Sequence, residues 1–231
     1  MRTEMRDIGV EDGTTMETYL ALPDAPNGKA ILVIQEIFGV NPHIRSVTDR
    51  YAREGYVALA PALFHRTAPG FECAYTDLEA GRKQAVQLTA AGLTADLHAA
   101  WRYLCTHTSR IAAAGFCMGG AISVVATTIL PIKAAVSYYG APRYVEALAG
   151  GRWGDRVHGP VLFYWGGRDA HIDAAARSVV ATEMDRAGKP YVNVLFSDAD
   201  HGFNCDARSS FHPASSAQAW ALTQAFLDAH V

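Results

Sequence analysis

Short apolar runs alternate with longer amphipathic stretches along nearly the whole chain, and this alternation constrains the fold more than any other feature. Ala30–Ile34, Ala134–Tyr138 and Val161–Trp165 have the length and apolar content of buried strands. The stretches between such runs are longer and have helical patterning. Strands that alternate with helices predict an α/β fold with a mostly parallel, doubly wound sheet flanked by helices.

The pattern predicts bounds for each element. The predicted strands cover 30–34, 57–60, 110–115, 134–138, 161–165 and 192–196, and the segments before Leu22 are candidates for antiparallel edge strands. The predicted helices cover 41–54, 76–104 with a break near Gly92, 118–129, 174–187 and 214–229. In such a sheet, reactive groups collect on the loops that follow the carboxyl ends of the strands.

Composition favours a single globular domain over residues 1–231, without a large separate cap. Half of the 231 residues are hydrophobic, which is enough for one substantial core. A net charge of −3 gives no reason to expect a nucleic acid or a membrane surface as partner. The start of the chain, Met1 to Val10, lacks a signal-peptide core, and no apolar run is long enough to span a bilayer. We therefore expect a cytoplasmic protein, either a monomer or a small homo-oligomer.

A glycine-flanked cysteine lies between a predicted strand and a predicted helix, in the segment GFCMGG at 115–120. A nucleophile elbow turns so sharply that a Cβ two residues before or after the reactive side chain would clash, and Gly115 and Gly119 occupy those places. The turn would present the Cys117 sulfur at a helix N-terminus, which favours the thiolate. The alternative is a buried, inert cysteine before an ordinary glycine turn.

Two further polar loops follow predicted strands and complete a candidate triad. Asp169 lies in GGRD after the strand at 161–165, and His201 lies in DHGF after the strand at 192–196. The order nucleophile, acid, base is that of α/β-hydrolases. A thiol needs an imidazole to activate it, and the imidazole needs a carboxylate to fix its tautomer. Cys117, Asp169 and His201 are therefore the predicted catalytic residues.

Two competing assignments stay open at this point. Asp173 is a second candidate acid, although it opens a predicted helix and is better placed as its N-cap. Asp198, Asp200 and His201 are candidate metal ligands, but strand alternation sends the histidine away from the two carboxylates. No second histidine is spaced to complete a metal site. We expect neither a metal nor another cofactor.

With these residues identified, the sequence resembles the dienelactone hydrolase (carboxymethylenebutenolidase) family of α/β-hydrolases along nearly its whole length. The resemblance rests on four segments: QEIFGVN at 35–41, the cysteine elbow, YYG at 138–140 and HGF at 201–203. It implies a cysteine nucleophile, matched by Cys117, and a glutamate beside the thiol, matched by Glu36. It also implies an oxyanion hole formed by the backbone N–H groups of Ile37 and Met118. The alternative for Glu36 is a surface carboxylate at a strand end.

The substrate pocket matches the family less well than the catalytic residues do. Of the two arginines that hold a substrate carboxylate in the best-known members, one matches Arg82, and Cys205 stands at the place of the other. Arg208 is a possible substitute three residues further on, and the aromatic pair after the first arginine is replaced by Val86 and Thr89. The predicted substrate-binding residues are Arg82, Phe38, Phe203, Tyr139 and Arg208.

The function predicted from these residues is cofactor-free hydrolysis of a small carboxylic ester or lactone through an acyl-enzyme. One alternative on the same scaffold is a promiscuous arylesterase, or a hydrolase of other activated esters. A second alternative is a non-catalytic or redox-sensing relative. A redox sensor often needs a second, resolving cysteine near the reactive one. Cys73, Cys105 and Cys205 show no CxxC or metal-site spacing and are expected to be free thiols.

Overall fold

The computed structural model describes residues 1–231 and contains eight strands and seven α-helices. The strands are β1 (Arg2–Gly9), β2 (Thr15–Leu22), β3 (Ala30–Ile34), β4 (Val57–Pro61), β5 (Ile111–Phe116), β6 (Ala134–Tyr138), β7 (Val161–Gly166) and β8 (Tyr191–Phe196). The helices are α1 (Pro42–Arg53), α2 (Leu78–Ala85), α3 (Ala90–Cys105), α4 (Met118–Ile129), α5 (Pro142–Ala149), α6 (Ala174–Arg186) and α7 (Pro213–His230). No helix is both long and apolar enough to cross a membrane.

The strands form one eight-stranded sheet in the order β1-β2-β4-β3-β5-β6-β7-β8. β3 pairs with β4, β6 with β7 and β7 with β8 in parallel, whereas β1 and β2 join as antiparallel strands at one end. β3 to β7 are buried along their whole length, as strands covered by helices on both faces must be. The predicted α/β fold, mostly parallel with antiparallel edge strands from the N-terminal segment, is confirmed.

Backbone contacts divide the chain into two compact units, residues 1–113 and 114–231. The expectation of a single domain stays a prediction. In the first unit, α1 packs on β2, β3 and β4, and α3 packs on β1, β3 and β4. A buried polar cluster there joins His65 to Asp96, whose second oxygen accepts from Arg66 at 2.6 Å. Arg66 also reaches Asp12 in the β1–β2 turn, so the fully buried Asp96 is paired rather than isolated.

The second unit is built on β6, β7 and β8. α4 packs on β6, α5 packs on α4 and α6, and α7 packs on β6 and β7. Polar bonds fix α7 to these strands, because the Tyr164 hydroxyl donates to the Ala219 carbonyl at 2.7 Å and the Tyr138 hydroxyl lies 2.7 Å from Thr223 Oγ1. These bonds fix β6 and β7 against α7, and the loops that follow the two strands therefore begin from fixed points.

The predicted helix at 76–104 is in fact two helices, and the predicted position of its break was wrong. α2 ends at Ala85 and α3 begins at Ala90, so the break covers 86–89 and Gly92 lies in the first turn of α3. Thr89 causes the restart because its Oγ1 accepts from the Gly92 N–H at 3.1 Å, which satisfies a donor that the new helix leaves free.

Two elements were absent from the sequence-based assignment: α5 and a single 3-10 turn at Trp153–Arg156. α5 has the signature of a short helix, with Pro142 in its first turn and Gly150 after its last residue at φ 77°. A helix of 8 residues carries too few apolar positions for periodicity to identify it.

Candidate active site

The predicted elbow is a sharp turn between β5 and α4. Cys117 is the one residue between the end of the strand and the start of the helix, at φ 55° and ψ −117°. A non-glycine residue held at positive φ stores roughly 1–3 kcal/mol of strain, which surrounding structure must impose. Gly115 is required because a Cβ there would overlap the carbonyl oxygen of Gly119. Met118 is the first residue of α4, so its N–H has no partner within the helix.

The turn that follows β6 supports the elbow from below. The Cys117 N–H donates to the Tyr138 carbonyl at 3.0 Å. A Cβ on Gly120 would lie 2.6 Å from that same carbonyl oxygen, and one on Gly140 would overlap the Ala121 nitrogen. The start of α4 thus packs backbone to backbone against this turn, and only glycine fits at either contact.

Asp169 and His201 meet in the second unit, on the loops after β7 and β8. Asp169 Oδ2 lies 2.7 Å from His201 Nδ1, and the Asp169 side chain is 1% exposed. Its Oδ1 accepts from the backbone N–H groups of His171 at 2.7 Å and Ile172 at 3.2 Å. Three donors therefore hold the carboxylate in one orientation, with one oxygen kept for the imidazole.

A hydrogen bond and a charge interaction also join His201 to Cys117. Because Nδ1 bonds Asp169, Nε2 is the ring nitrogen left for the sulfur. Burial lowers the pKa of His201, but the charges and hydrogen bonds of Cys117 and Asp169 outweigh burial and raise that pKa to about 10. Burial raises the pKa of Asp169, whereas the His201 hydrogen bond and charge outweigh it and leave the pKa below its ordinary value. The structure thus brings the three predicted catalytic residues together in an arrangement that favours imidazolium.

Aromatic side chains surround the imidazole. The Tyr139 ring centroid lies 5.0 Å from that of His201, and Phe203 lies 5.4 Å from Tyr139. Both are predicted to bind substrate, and both side chains are fully buried in the structure. Tyr139 packs against the imidazole, and Phe203 packs against Tyr139. Tyr139 also has a left-handed backbone, at φ 43°.

Sequence reasoning missed His171, an exposed residue whose ring lies edge-on to His201 at 5.4 Å. Its backbone N–H also holds the Asp169 carboxylate. The only signal in the sequence was its position two residues after the candidate acid.

The competing acidic residues have other partners. Asp173 is the N-cap of α6 and accepts from the Ala176 N–H at 2.7 Å, as its position in the sequence predicted. Asp200 accepts from the His201 backbone N–H at 2.6 Å, and Asp198 Oδ2 lies 3.5 Å from His212 Nε2.

The remaining candidates before the elbow lie in the first unit. Glu36 follows β3 and is fully buried, so it is not the surface carboxylate of the alternative reading. The residue after Glu36 is Ile37, and Gly81 of α2 packs directly on it, since a Cβ on Gly81 would lie 2.8 Å from the Ile37 carbonyl oxygen. Phe38 is buried with its ring 4.6 Å from that of Tyr75. Arg82 is exposed on α2.

Arg208 is half-buried in the second unit, close to His201. Its guanidinium covers Gly202, because a Cβ on that glycine would lie 2.5 Å from Arg208 Nη1. Gly202 has φ 79°, so two independent constraints require glycine beside His201. Cys205, which occupies the place of the second family arginine, is fully buried.

Comparisons with known proteins identify the family. The model of the dienelactone hydrolase family matches residues 16–231. A Synechocystis protein provisionally named carboxymethylenebutenolidase is 38% identical over 213 residues, covering 87% of each chain. The carboxymethylenebutenolidase of Pseudomonas sp. strain P51 is 30% identical over 230 residues, covering 96% of this chain and 94% of its own. The crystal structure of a provisionally named dienelactone hydrolase from Klebsiella pneumoniae superposes with a TM-score of 0.85 at 28% identity, covering 99% of both chains.

Proposed function

The chain belongs to the dienelactone hydrolase family, and from that premise we propose that Cys117, His201 and Asp169 cleave a small carboxylic ester or lactone through an acyl-enzyme. Membership makes the chain a hydrolase of ester bonds. The observation that carries the proposed triad is the position of one imidazole, 2.7 Å from a buried carboxylate through Nδ1 and hydrogen-bonded to the elbow sulfur.

In the first half-reaction the Cys117 thiolate attacks the substrate carbonyl carbon. A C–S bond forms, and the carbonyl electron pair moves onto oxygen. Collapse of this intermediate breaks the C–O bond of the ester, and His201 Nε2–H gives its proton to the departing alkoxide. The raised pKa of His201 keeps that proton available at neutral pH. The alcohol leaves, and an acyl thioester and a neutral imidazole remain.

The second half-reaction restores the enzyme. Neutral His201 takes a proton from water, and the resulting hydroxide attacks the thioester carbon. The C–S bond breaks with its electron pair on sulfur, so the carboxylic acid leaves and the thiolate–imidazolium pair forms again. Asp169 holds the ring in the tautomer that both steps need.

Two further roles follow from the family resemblance and remain part of the proposal. The Met118 N–H, free at the start of α4, and the Ile37 N–H would stabilise the oxyanion. Glu36, a fully buried carboxylate, would hold or activate the thiol in the resting enzyme. The close packing of Gly81 on Ile37 supports the oxyanion role of Ile37, because an oxyanion donor must be in place before charge develops.

An ester and lactone panel tests the proposal. Wild type should hydrolyse activated esters with a pre-steady-state burst, and Cys117→Ala should lose turnover by several orders of magnitude. The matched control is Cys105→Ala, which removes an exposed thiol at the end of α3 and should change nothing. Full turnover by Cys117→Ala would contradict the assigned nucleophile.

The substrate class rests on how many arginines hold a carboxylate. Loss of one charge-assisted contact is worth about 1.5–3 kcal/mol, or roughly a ten- to hundredfold drop in kcat/KM for anionic substrates. With Arg82 alone, neutral aryl esters should be cleaved at least as well as dienelactone, which would favour the promiscuous arylesterase alternative. Val86 at the place of a family aromatic is a smaller side chain and is 80% exposed. A strong preference for the carboxylate that disappears in both Arg82→Ala and Arg208→Ala would instead restore a two-arginine clamp.

A further inference from the structure

The last strand of the sheet has an unprotected edge. β8 ends the strand order, and its side chains Leu195 and Val192 are 52% and 39% exposed. Proteins protect such edges with charges, proline or bulges, because unpaired N–H and C=O groups pair readily with another strand. β1, at the opposite end of the order, carries charges along its length, at Arg2, Glu4, Arg6 and Asp7. β8 reads YVNVLF and carries none.

The pairing of β7 with β8 shows which backbone groups of β8 point outward. Val161 N–H donates to the Pro190 carbonyl and Gly167 N–H to the Phe196 carbonyl, so the even-numbered residues of β8 turn their backbone groups toward β7. In a parallel pair these groups alternate along the strand. The N–H and C=O groups of Tyr191, Asn193 and Leu195 therefore point away from the sheet.

From this edge we infer that the protein forms a two-fold dimer in which β8 pairs antiparallel with β8 of a second copy, centred on Asn193. This register sets Asn193 opposite itself and Tyr191 opposite Leu195 of the second copy. Tyr191, Asn193 and Leu195 of one copy then each form a hydrogen-bonded pair with the residue opposite in the second copy, and each pair is joined by two N–H to C=O bonds. All six outward groups of each chain find a partner, and the interface is isologous, as two-fold symmetry requires.

Side chains on both faces of the paired strands agree with this register. Tyr191 lies across from Leu195 of the second copy on one face, and Val192 lies across from Val194 on the other. Aromatic and β-branched cross-strand pairs of this kind stabilise sheets. If one strand shifted by one residue against the other, side chains from opposite faces would be paired and these contacts would be lost.

Sedimentation velocity over a range of concentrations tests the dimer. Wild type should reach twice the chain mass of 24.9 kDa, and Leu195→Lys should remain at the single-chain mass with unchanged melting temperature. Met5→Lys is the matched control, since Met5 is 49% exposed on the opposite edge strand, and it should still dimerise. A wild type that stays at the single-chain mass at every concentration would overturn the inference. So would a Leu195→Lys variant that dimerises like wild type.

Cross-linking tests the register itself. Residues directly opposite in a hydrogen-bonded antiparallel pair have Cα atoms about 5.5 Å apart, within the range that a disulfide spans. Asn193→Cys should therefore form a disulfide between two copies on mild oxidation, identified by peptide mapping. Val192→Cys is the control, because position 192 lies diagonal to itself across the axis, beyond disulfide reach. Linkage through position 192 instead of 193 would show another register, and a strand edge occupied by a different protein would give neither linkage.

Discussion

The substitution Asp169→Asn separates the role of the carboxylate charge from its role in the loop. Asp169 Oδ1 accepts two backbone N–H groups, and an asparagine oxygen can accept the same two. At the other position an amide N–H₂ would replace the oxygen that accepts from His201 Nδ1 at 2.7 Å. The imidazole would then turn to the tautomer with its proton on Nε2, where it cannot take a proton from thiol or water.

The magnitude follows from these two losses. A charge-assisted hydrogen bond contributes about 1.5–3 kcal/mol, which is roughly a ten- to hundredfold change in rate. The wrong tautomer lowers kcat by about 10⁴ in a serine protease triad. We therefore expect kcat of Asp169→Asn to fall by between about 10² and 10⁴.

Steady-state hydrolysis of an activated aryl ester, with thermal melts alongside, measures this effect. Asp173→Asn is the matched control, because asparagine caps helices as well as aspartate does and the bond to Ala176 would survive. The reasoning fails if Asp169→Asn retains activity within tenfold of wild type. It also fails if Asp173→Asn is the more damaged of the two.

Three further predictions follow from the site. The pKa of His201 is raised to about 10, so the charged imidazole contributes to the free energy of unfolding. That contribution is fully present below the ordinary pKa of about 6.5 and is lost as pH rises through about 10. The free energies of unfolding of wild type and His201→Gln, measured by urea titration, should therefore converge near pH 10. Activity should survive EDTA but not iodoacetamide, which alkylates Cys117; loss on chelation, restored by a divalent ion, would support a metal site instead. Gly81→Ala should push α2 off Ile37 and lower kcat by about tenfold or more, measured beside KM and melting temperature; an unchanged kcat would count against Ile37 as an oxyanion donor.

The meeting of the three candidate catalytic residues was predictable because local sequence determines much of its geometry. Gly115 is required by the turn itself, and the order of Cys117, Asp169 and His201 follows from the strand after which each loop occurs. The predicted strands therefore matched those of the structure within about two residues, and α4 matched at both ends.

The parts that escaped prediction depend on tertiary packing or on short signals. Phe38 and Phe203 belong to the right motifs, yet no sequence pattern shows how deeply their side chains are buried. His171 contributes a backbone N–H, which any residue type would supply. The start of α3 depends on the N-cap at Thr89. Gly92 was the more conspicuous signal for a helix break, but it lies inside α3.

The most direct test of the account is the acyl-enzyme. Mixing the protein with one equivalent of an activated aryl ester, quenching in acid and measuring the intact mass should show one acyl group per chain. Peptide mapping should place that group on Cys117, and His201→Gln should accumulate it more slowly because the thiolate loses its imidazolium partner. An acyl group on Cys73, Cys105 or Cys205, or turnover without any acylated chain, would contradict the assignment of Cys117 as the nucleophile.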